Sequence, residues 1–415
     1  MNQIVITADN AALIGFRRIR RSTEGSCKKA GGIAVCLCMR LQKADYVKEV
    51  EEVMEQQVQT ETKKARGGRT YGIIDCDVHP SPRNTDEIRS YMSQPWKDRY
   101  HGGSRGFFGN PVHGARLDAT PPGGGPTGSD PDFLREQLID KYGHAYAILL
   151  PRAFCNLQPD PDFGTAIAAA FNDWLADTWL GKYNHDGVFK GSITVNHQDP
   201  QAAAREIERW AGHPHFVQVM TDSGARAPFG QRQYYPIYEA CERHGLPFAI
   251  HPGTDGMGIN IQPSPGYPTH YIEWHTCLSL GFQAHLVSFL TEGVFERFPN
   301  FKIVLTEGGV AWLPGLMWRL NAEYKALRYE VPWMKRRPSD YLRDHVRISS
   351  QPLERPDDDR ELLQMLDMMD AKHILMFASD YPHWDFDSPT QTFPKLPEEM
   401  HRRIFFENAR ELYNL

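Results

Sequence analysis

Short runs of apolar and β-branched residues alternate with longer stretches in which apolar positions recur at helical spacing, and this alternation holds from Tyr71 to the end of the chain. Eight runs read as strands: Gly72 to Val78, Ala145 to Leu150, Ser192 to Val195, Phe216 to Met220, Phe248 to His251, Lys302 to Thr306, Val346 to Ser350 and Ile374 to Ser379. Between them, polar-started helical stretches cover Asp132 to Tyr142, Thr165 to Leu180, Pro200 to Trp210, Tyr234 to His244, Thr276 to Phe298, Trp312 to Tyr329 and Asp358 to Met369, and Glu398 to Leu415 closes the chain. Strict strand and helix alternation calls for a parallel sheet. Strands covered on both faces read as nearly unbroken apolar runs, as Ala145 to Leu150 does. Eight units within residues 71–415 predict an α/β fold, a (β/α)8 TIM barrel. A doubly wound open sheet is the runner-up, but the Gly-rich phosphate turn it usually shows after the first strand is missing from Asp75-Cys-Asp-Val-His-Pro80.

Two regions stand outside the repeat. Residues 1–70 carry 13 Lys/Arg against 8 Asp/Glu, a net +5, which leaves −11 of the overall −6 for residues 71–415. They read as an N-terminal extension, partly helical around Tyr46 to Met54 and otherwise loosely structured, with the boundary near Gly67-Gly68. No apolar signal core follows its arginines, and Cys27, Cys36 and Cys38 lack the spacing of a metal clip. The stretch from about Pro80 to Asp130 is a long loop rich in Gly and Pro after strand one, read as a lid over the barrel mouth, with a disordered insertion as the alternative.

Composition narrows the function classes. At 41% hydrophobic and 24% charged residues, the 415-residue chain can bury a large core. A net charge of −6 with no dense basic block past the extension argues against nucleic acid as a partner, and the longest apolar runs fall far short of the roughly 20 residues that span a bilayer. Seven scattered cysteines suit a reducing compartment, so a cytoplasmic location and a small-molecule substrate are expected.

In a parallel barrel the active site forms at the C-terminal ends of the strands, so polar residues ending apolar strands are the ones to examine. Strand one ends in Asp75, Asp77 and His79, which a period of two puts on one face, in reach of one metal ion. Strand five ends in His251, strand six in Glu307-Gly308-Gly309, and strand eight in Ser379-Asp380 followed by Tyr381-Pro382-His383. Each alone is ordinary, since strand-end acids often cap the next helix. Together Asp77, His79, His251 and Asp380 form a mixed nitrogen and oxygen donor set suited to one divalent ion, Zn or Mn. Arg83 and Arg152 are candidate carboxylate grips, and Tyr381, His383 and Trp384 complete the predicted substrate surface.

These residues resemble the amidohydrolase superfamily, in the branch of aminocarboxymuconate-semialdehyde decarboxylase, over roughly residues 71–415. The resemblance rests on Asp77-x-His79, His251, the strand-eight segment Phe377-Ala-Ser-Asp-Tyr-Pro-His383 and the approach to strand six, Phe295-Glu-Arg-Phe-Pro-Asn-Phe-Lys-Ile-Val304. One departure matters: Glu307 stands where many relatives have a histidine that handles protons in the decarboxylases. The resemblance therefore implies first a metal-dependent hydrolase, in which Asp380 or Glu307 takes a proton from metal-activated water. A metal-dependent non-oxidative decarboxylase of an aromatic or muconate-type acid is the alternative, with Glu307, His275 or His285 replacing the missing histidine, and a non-catalytic binding barrel is the third reading. Serine or cysteine hydrolysis lacks its Gly-x-Ser-x-Gly elbow. Dimers are common in the family, although no interface is legible here.

Overall fold

The computed structural model describes residues 71–102 and 114–415. Expectations for the N-terminal extension and for residues 103–113 of the long loop lie outside the described residues. The eight strands are β1 (Ile73–Val78), β2 (His144–Leu149), β3 (Phe189–Thr194), β4 (Phe216–Asp222), β5 (Phe248–His251), β6 (Ile303–Leu305), β7 (Val346–Ser349) and β8 (Leu375–Met376), parallel and hydrogen-bonded in sequence order. The chain past β8 returns to β1: Cys76 N donates to Phe377 O at 3.0 Å, Asp380 N to Asp77 O at 3.1 Å, and His79 N to Tyr381 O at 2.8 Å. These bonds close the barrel where β8 itself has ended.

Residues from six strands, among them Ile74, Cys76, Ile148, Met220, Ala249, Val304 and Met376, pack with Ala409, Leu412 and Tyr413 in one cluster. Side chains from so many strands meet only inside the barrel, so the helix Asn408–Tyr413 plugs one end. A larger cluster joins the outward faces, such as Phe189, Ile193, Phe248, Ile303 and Leu305, to the surrounding helices.

Three sequence expectations shift. β3 begins three residues earlier than predicted, because the polar Lys190 and Gly191 interrupt its apolar run. β4 runs on to Asp222, two residues past the last apolar position. The helix expected over Thr276 to Phe298 spans Tyr271–Thr291, and a second short one, Val294–Arg297, follows Gly293, whose φ of 72° is the left-handed turn that ends a helix.

The described part of the long loop lies against the chain after β8. Arg116 N donates to Pro382 O at 2.8 Å, and Ser81 N to Gly128 O at 2.8 Å. Gly128 has φ +74°, and a Cβ there would run into His79 O, so only glycine fits beside that histidine.

Candidate metal centre and active site

β1 does not keep its period of two. Between its pairs with β2, Asp75 opposite Ala147 and Val78 opposite Leu149, three steps on one strand match two on the other. Such a slip re-aims the side chains beyond it. Asp75 is thereby separated from Asp77 and His79, contrary to the expectation of one shared face. Its Oδ1 accepts from Asp77 N (3.2 Å) and Ser379 N (2.9 Å), and its Oδ2 lies 3.4 Å from His144 Nε2.

Asp77 and His79 face the mouth. His79 Nδ1 lies 2.8 Å from Leu150 O, a donation that turns Nε2 toward Asp77 Oδ1 (3.1 Å) and Asp380 Oδ1 (2.9 Å). His251, the last residue of β5, is held the same way: Nδ1 lies 2.7 Å from Pro252 O, and Nε2 lies 2.8 Å from Glu307 Oε2, 3.3 Å from His79 Nε2 and 3.6 Å from Asp77 Oδ2. Ligating atoms of Asp77, His79, His251 and Glu307 all lie within 4.8 Å of one another, as do those of His79, Glu307, Asp380 and His383. The four predicted ligands are thus brought together around His79, and Glu307 joins them. Glu307 and Asp380 have φ of 58° and 59°, a left-handed backbone that costs about 1–2 kcal/mol for a residue with a Cβ. That strain sits at the two strand ends that deliver the carboxylates.

The electrostatics fit a cation. Asp77, His251 and Asp380 are fully buried, and both oxygens of Asp77 lack any hydrogen-bond donor among the described residues. Burial, reinforced by neighbouring acids, pushes Asp77 up to about 6 and Asp380 well above the usual carboxylate range. Burial and Arg152 work against a charge on His251, yet Glu307 and Asp77 hold it up at about 9. Burial likewise opposes ionisation of Glu307, but His251 keeps that carboxylate ionised down to about 2. Burial, with His383 and His251 nearby, drives His79 well below its usual range, leaving the neutral ring that a metal ligand requires. Orphaned carboxylate oxygens beside the neutral His79 nitrogen make this centre suited to one divalent ion, whose binding would displace the proton from His251.

Around this cluster, Arg152 Nη2 donates to Pro252 O at 2.5 Å and lies 3.7 Å from Asp222 Oδ1, while Nη1 touches the His251 ring. His383 Nδ1 is 2.6 Å from Asp380 Oδ1. Gln351 after β7 donates from Nε2 to Asp380 Oδ2 (3.2 Å) and to Asp385 Oδ2 (3.0 Å), and His275 Nε2 lies 3.5 Å from that same Asp385 oxygen. Tyr271 stacks on His275 at 5.4 Å, with Trp384 5.6 Å from the histidine on another side. His275 therefore connects to the cluster through Asp385 and Gln351, and neither it nor Trp384 is among the grouped ligating residues. Tyr381 turns away, its hydroxyl donating to Gln137 Oε1 at 2.8 Å. Arg83 is exposed, with its backbone N on Glu87, and the fold does not bring it to the cluster. His285 is structural: it accepts from Phe229 N at Nδ1 (3.1 Å) and donates from Nε2 to Ser223 O (2.9 Å). Sequence reasoning missed Gln351, Asp385 and Asp222. Asp222 was hidden by ending β4 at Met220, and Gln351 carries no signal beyond its place after a strand.

The model of the amidohydrolase family matches residues 74–415. The γ-resorcylate decarboxylase of Polaromonas sp. (strain JS666) is 25% identical over 296 residues, which cover 68% of this chain and 86% of the relative. An amidohydrolase structure from Mycobacterium avium subsp. paratuberculosis K-10 superposes with a TM-score of 0.64 at 20% identity, covering 83% of this chain and 100% of that one. A dihydroxybenzoic acid decarboxylase from Polaromonas sp. JS666, solved with bound manganese and 2-nitroresorcinol, gives a TM-score of 0.58 at 18% identity over 83% and 97% of the two chains. Among the described residues no helix is long and apolar enough to cross a membrane. A barrel with a buried divalent-ion centre at its mouth, matched by one family model along residues 74–415, places this chain in the amidohydrolase family.

Proposed function

We propose that this protein is a metal-dependent non-oxidative decarboxylase of a hydroxylated aromatic carboxylic acid. The observation that carries the reading is the buried cluster of Asp77, His79, His251, Glu307 and Asp380 with Arg152 beside it, on a chain whose curated relatives include γ-resorcylate decarboxylases. Those relatives favour the decarboxylase alternative over the hydrolase that the sequence put first.

Asp77, His79, His251 and Asp380 would hold the ion. Bound there, it supplies a Lewis acid for a substrate oxygen and offsets the clustered carboxylates. Arg152, its guanidinium fixed by Pro252 O and close to Asp222, grips the substrate carboxylate. As the bond between ring carbon and carboxylate breaks, its electron pair stays on the ring carbon, which takes up one proton while CO2 leaves. Asp380 and His383, 2.6 Å apart, hold that proton at the mouth. His275 and Trp384, with ring centroids 5.6 Å apart beside Asp385, offer the substrate ring an aromatic surface. Glu307 supports a second reading: an ionised, buried carboxylate facing the cluster is placed to take a proton from water in a hydrolysis.

The experiment supplies the manganese-loaded chain with 2,6-dihydroxybenzoate and 5-carboxyvanillate, and in parallel with a panel of amides and lactones. CO2 release from an aromatic acid supports the proposal. Turnover confined to amides or lactones, abolished by Glu307→Gln, would establish the hydrolase instead.

A further inference from the structure

A cavity of about 350 Å³ opens at the C-terminal ends of the strands and shares no lining residue with the metal centre. Its walls come from the loops after β3, β4 and β5, with His197, Gln198, Pro200, Arg226, Tyr234 and Asn260 among them. His197 is 2% exposed. Thr221 Oγ1 lies 3.2 Å from Val195 O and 2.8 Å from His197 Nδ1; with the hydroxyl proton on Val195 O, which can only accept, Oγ1 accepts from His197 Nδ1–H. In that tautomer His197 Nε2 carries a lone pair; it has no partner among the described residues and belongs to a ring lining the cavity. The edge of the ring packs on Phe229, 5.1 Å away, which holds its direction.

Two neighbours are also short of donors. Asn260, 6% exposed, donates from its amide nitrogen to Thr254 O at 3.3 Å, and Gln198 donates to Asn156 O. A carbonyl can only accept, so both amides are oriented with their oxygens unpartnered. Buried acceptors without donors are costly. At the rim, Arg226 is exposed and has no carboxylate within 4.0 Å among the described residues. An unpaired guanidinium beside a fixed imidazole acceptor defines a ligand with an anionic end and a donor end. Pro200, Ala227 and the Tyr234 ring supply apolar surface between them.

We infer that this cavity is a binding site for a small carboxylic acid bearing a hydroxyl or amino group, its carboxylate on Arg226 and its donor on His197 Nε2. The inference is independent of the proposed decarboxylation, since it uses none of the metal-centre residues.

Isothermal titration calorimetry on the full chain tests it, with 4-hydroxybenzoate as the probe and benzoate as the comparison lacking the donor. Titrations of the manganese-loaded wild type, of Asp77→Asn and of Asp77→Asn with Arg226→Gln separate the two sites. The probe is expected to bind Asp77→Asn, and loss of a charge-assisted pair should weaken that binding about ten-fold in the Arg226 variant. Benzoate should bind more weakly than the probe. Wild-type binding that vanishes in Asp77→Asn would assign the acid to the metal centre alone and overturn the proposal, as would equal affinity with and without Arg226, equal affinity for benzoate, or no binding to any chain. Arg226 is on the surface, so its replacement leaves the packing of the barrel in place.

Discussion

At the plugged end of the barrel, Tyr413 donates to Gln218 Oε1 at 2.9 Å and Gln218 donates on to Ser192 Oγ at 2.8 Å, so polar groups wholly inside the protein satisfy one another. At the mouth, Asp77 is just as buried, yet neither oxygen finds a donor, and two further carboxylates are delivered there by left-handed backbone. His251 and Arg152 offset part of this negative charge, and a bound cation would offset the rest. The contrast separates polar burial that holds the fold from polar burial that serves chemistry, within a single barrel.

The sharpest break of that contrast is to remove a mouth carboxylate. Asp77→Asn and Asp380→Asn should each lower turnover by about a thousand-fold or more, with the metal content of the purified chain falling from about one ion to near none by inductively coupled plasma mass spectrometry. Stability should respond in the opposite sense. After chelation, Asp77→Asn should be about 1 kcal/mol more stable than the metal-free wild type, because the desolvation of this buried carboxylate outweighs its pairing with His251. A chelated variant less stable than the chelated wild type would mean that Asp77 holds the fold.

The plugged end should behave the other way. Tyr413→Phe strands Gln218 Oε1 and should cost about 1–3 kcal/mol by denaturant unfolding, with metal content unchanged. The smallest effect concerns His285, whose ring burial pushes from its ordinary 6.5 down to about 4. An unfolded chain takes up this proton below 6.5 and the folded chain only below about 4, so the unfolded state binds more protons in that window. Stability is therefore lost as pH falls from about 6.5 to about 4. The drop in Tm between pH 7 and pH 5 should be smaller in His285→Gln than in the wild type, and an equal drop would show that other groups account for it.

Much of this was legible along the chain. Apolar runs located all eight strands, since strands covered on both faces leave an unbroken hydrophobic signature. Asp77, His79, His251 and Asp380 were legible because a barrel puts its chemistry at strand ends, where a polar residue interrupts an apolar run. Asp75 was misplaced because a register slip in β1 leaves no mark on composition. Gln351 and Asp385 were missed because an amide or an acid in a loop looks like any surface residue until its neighbours are known, and Asp222 because β4 runs two residues past its last apolar position.

The sequence by itself determined the strand order, the strand-end donors and the divalent-ion chemistry they imply, because those follow from local periodicity and residue type. Only the tertiary structure decided that Glu307 joins the cluster, that Arg152 reaches His251 across 99 residues, and that Arg83 stays on the surface. Distances between side chains on different strands depend on register, twist and barrel closure, and these are properties of the whole packed chain.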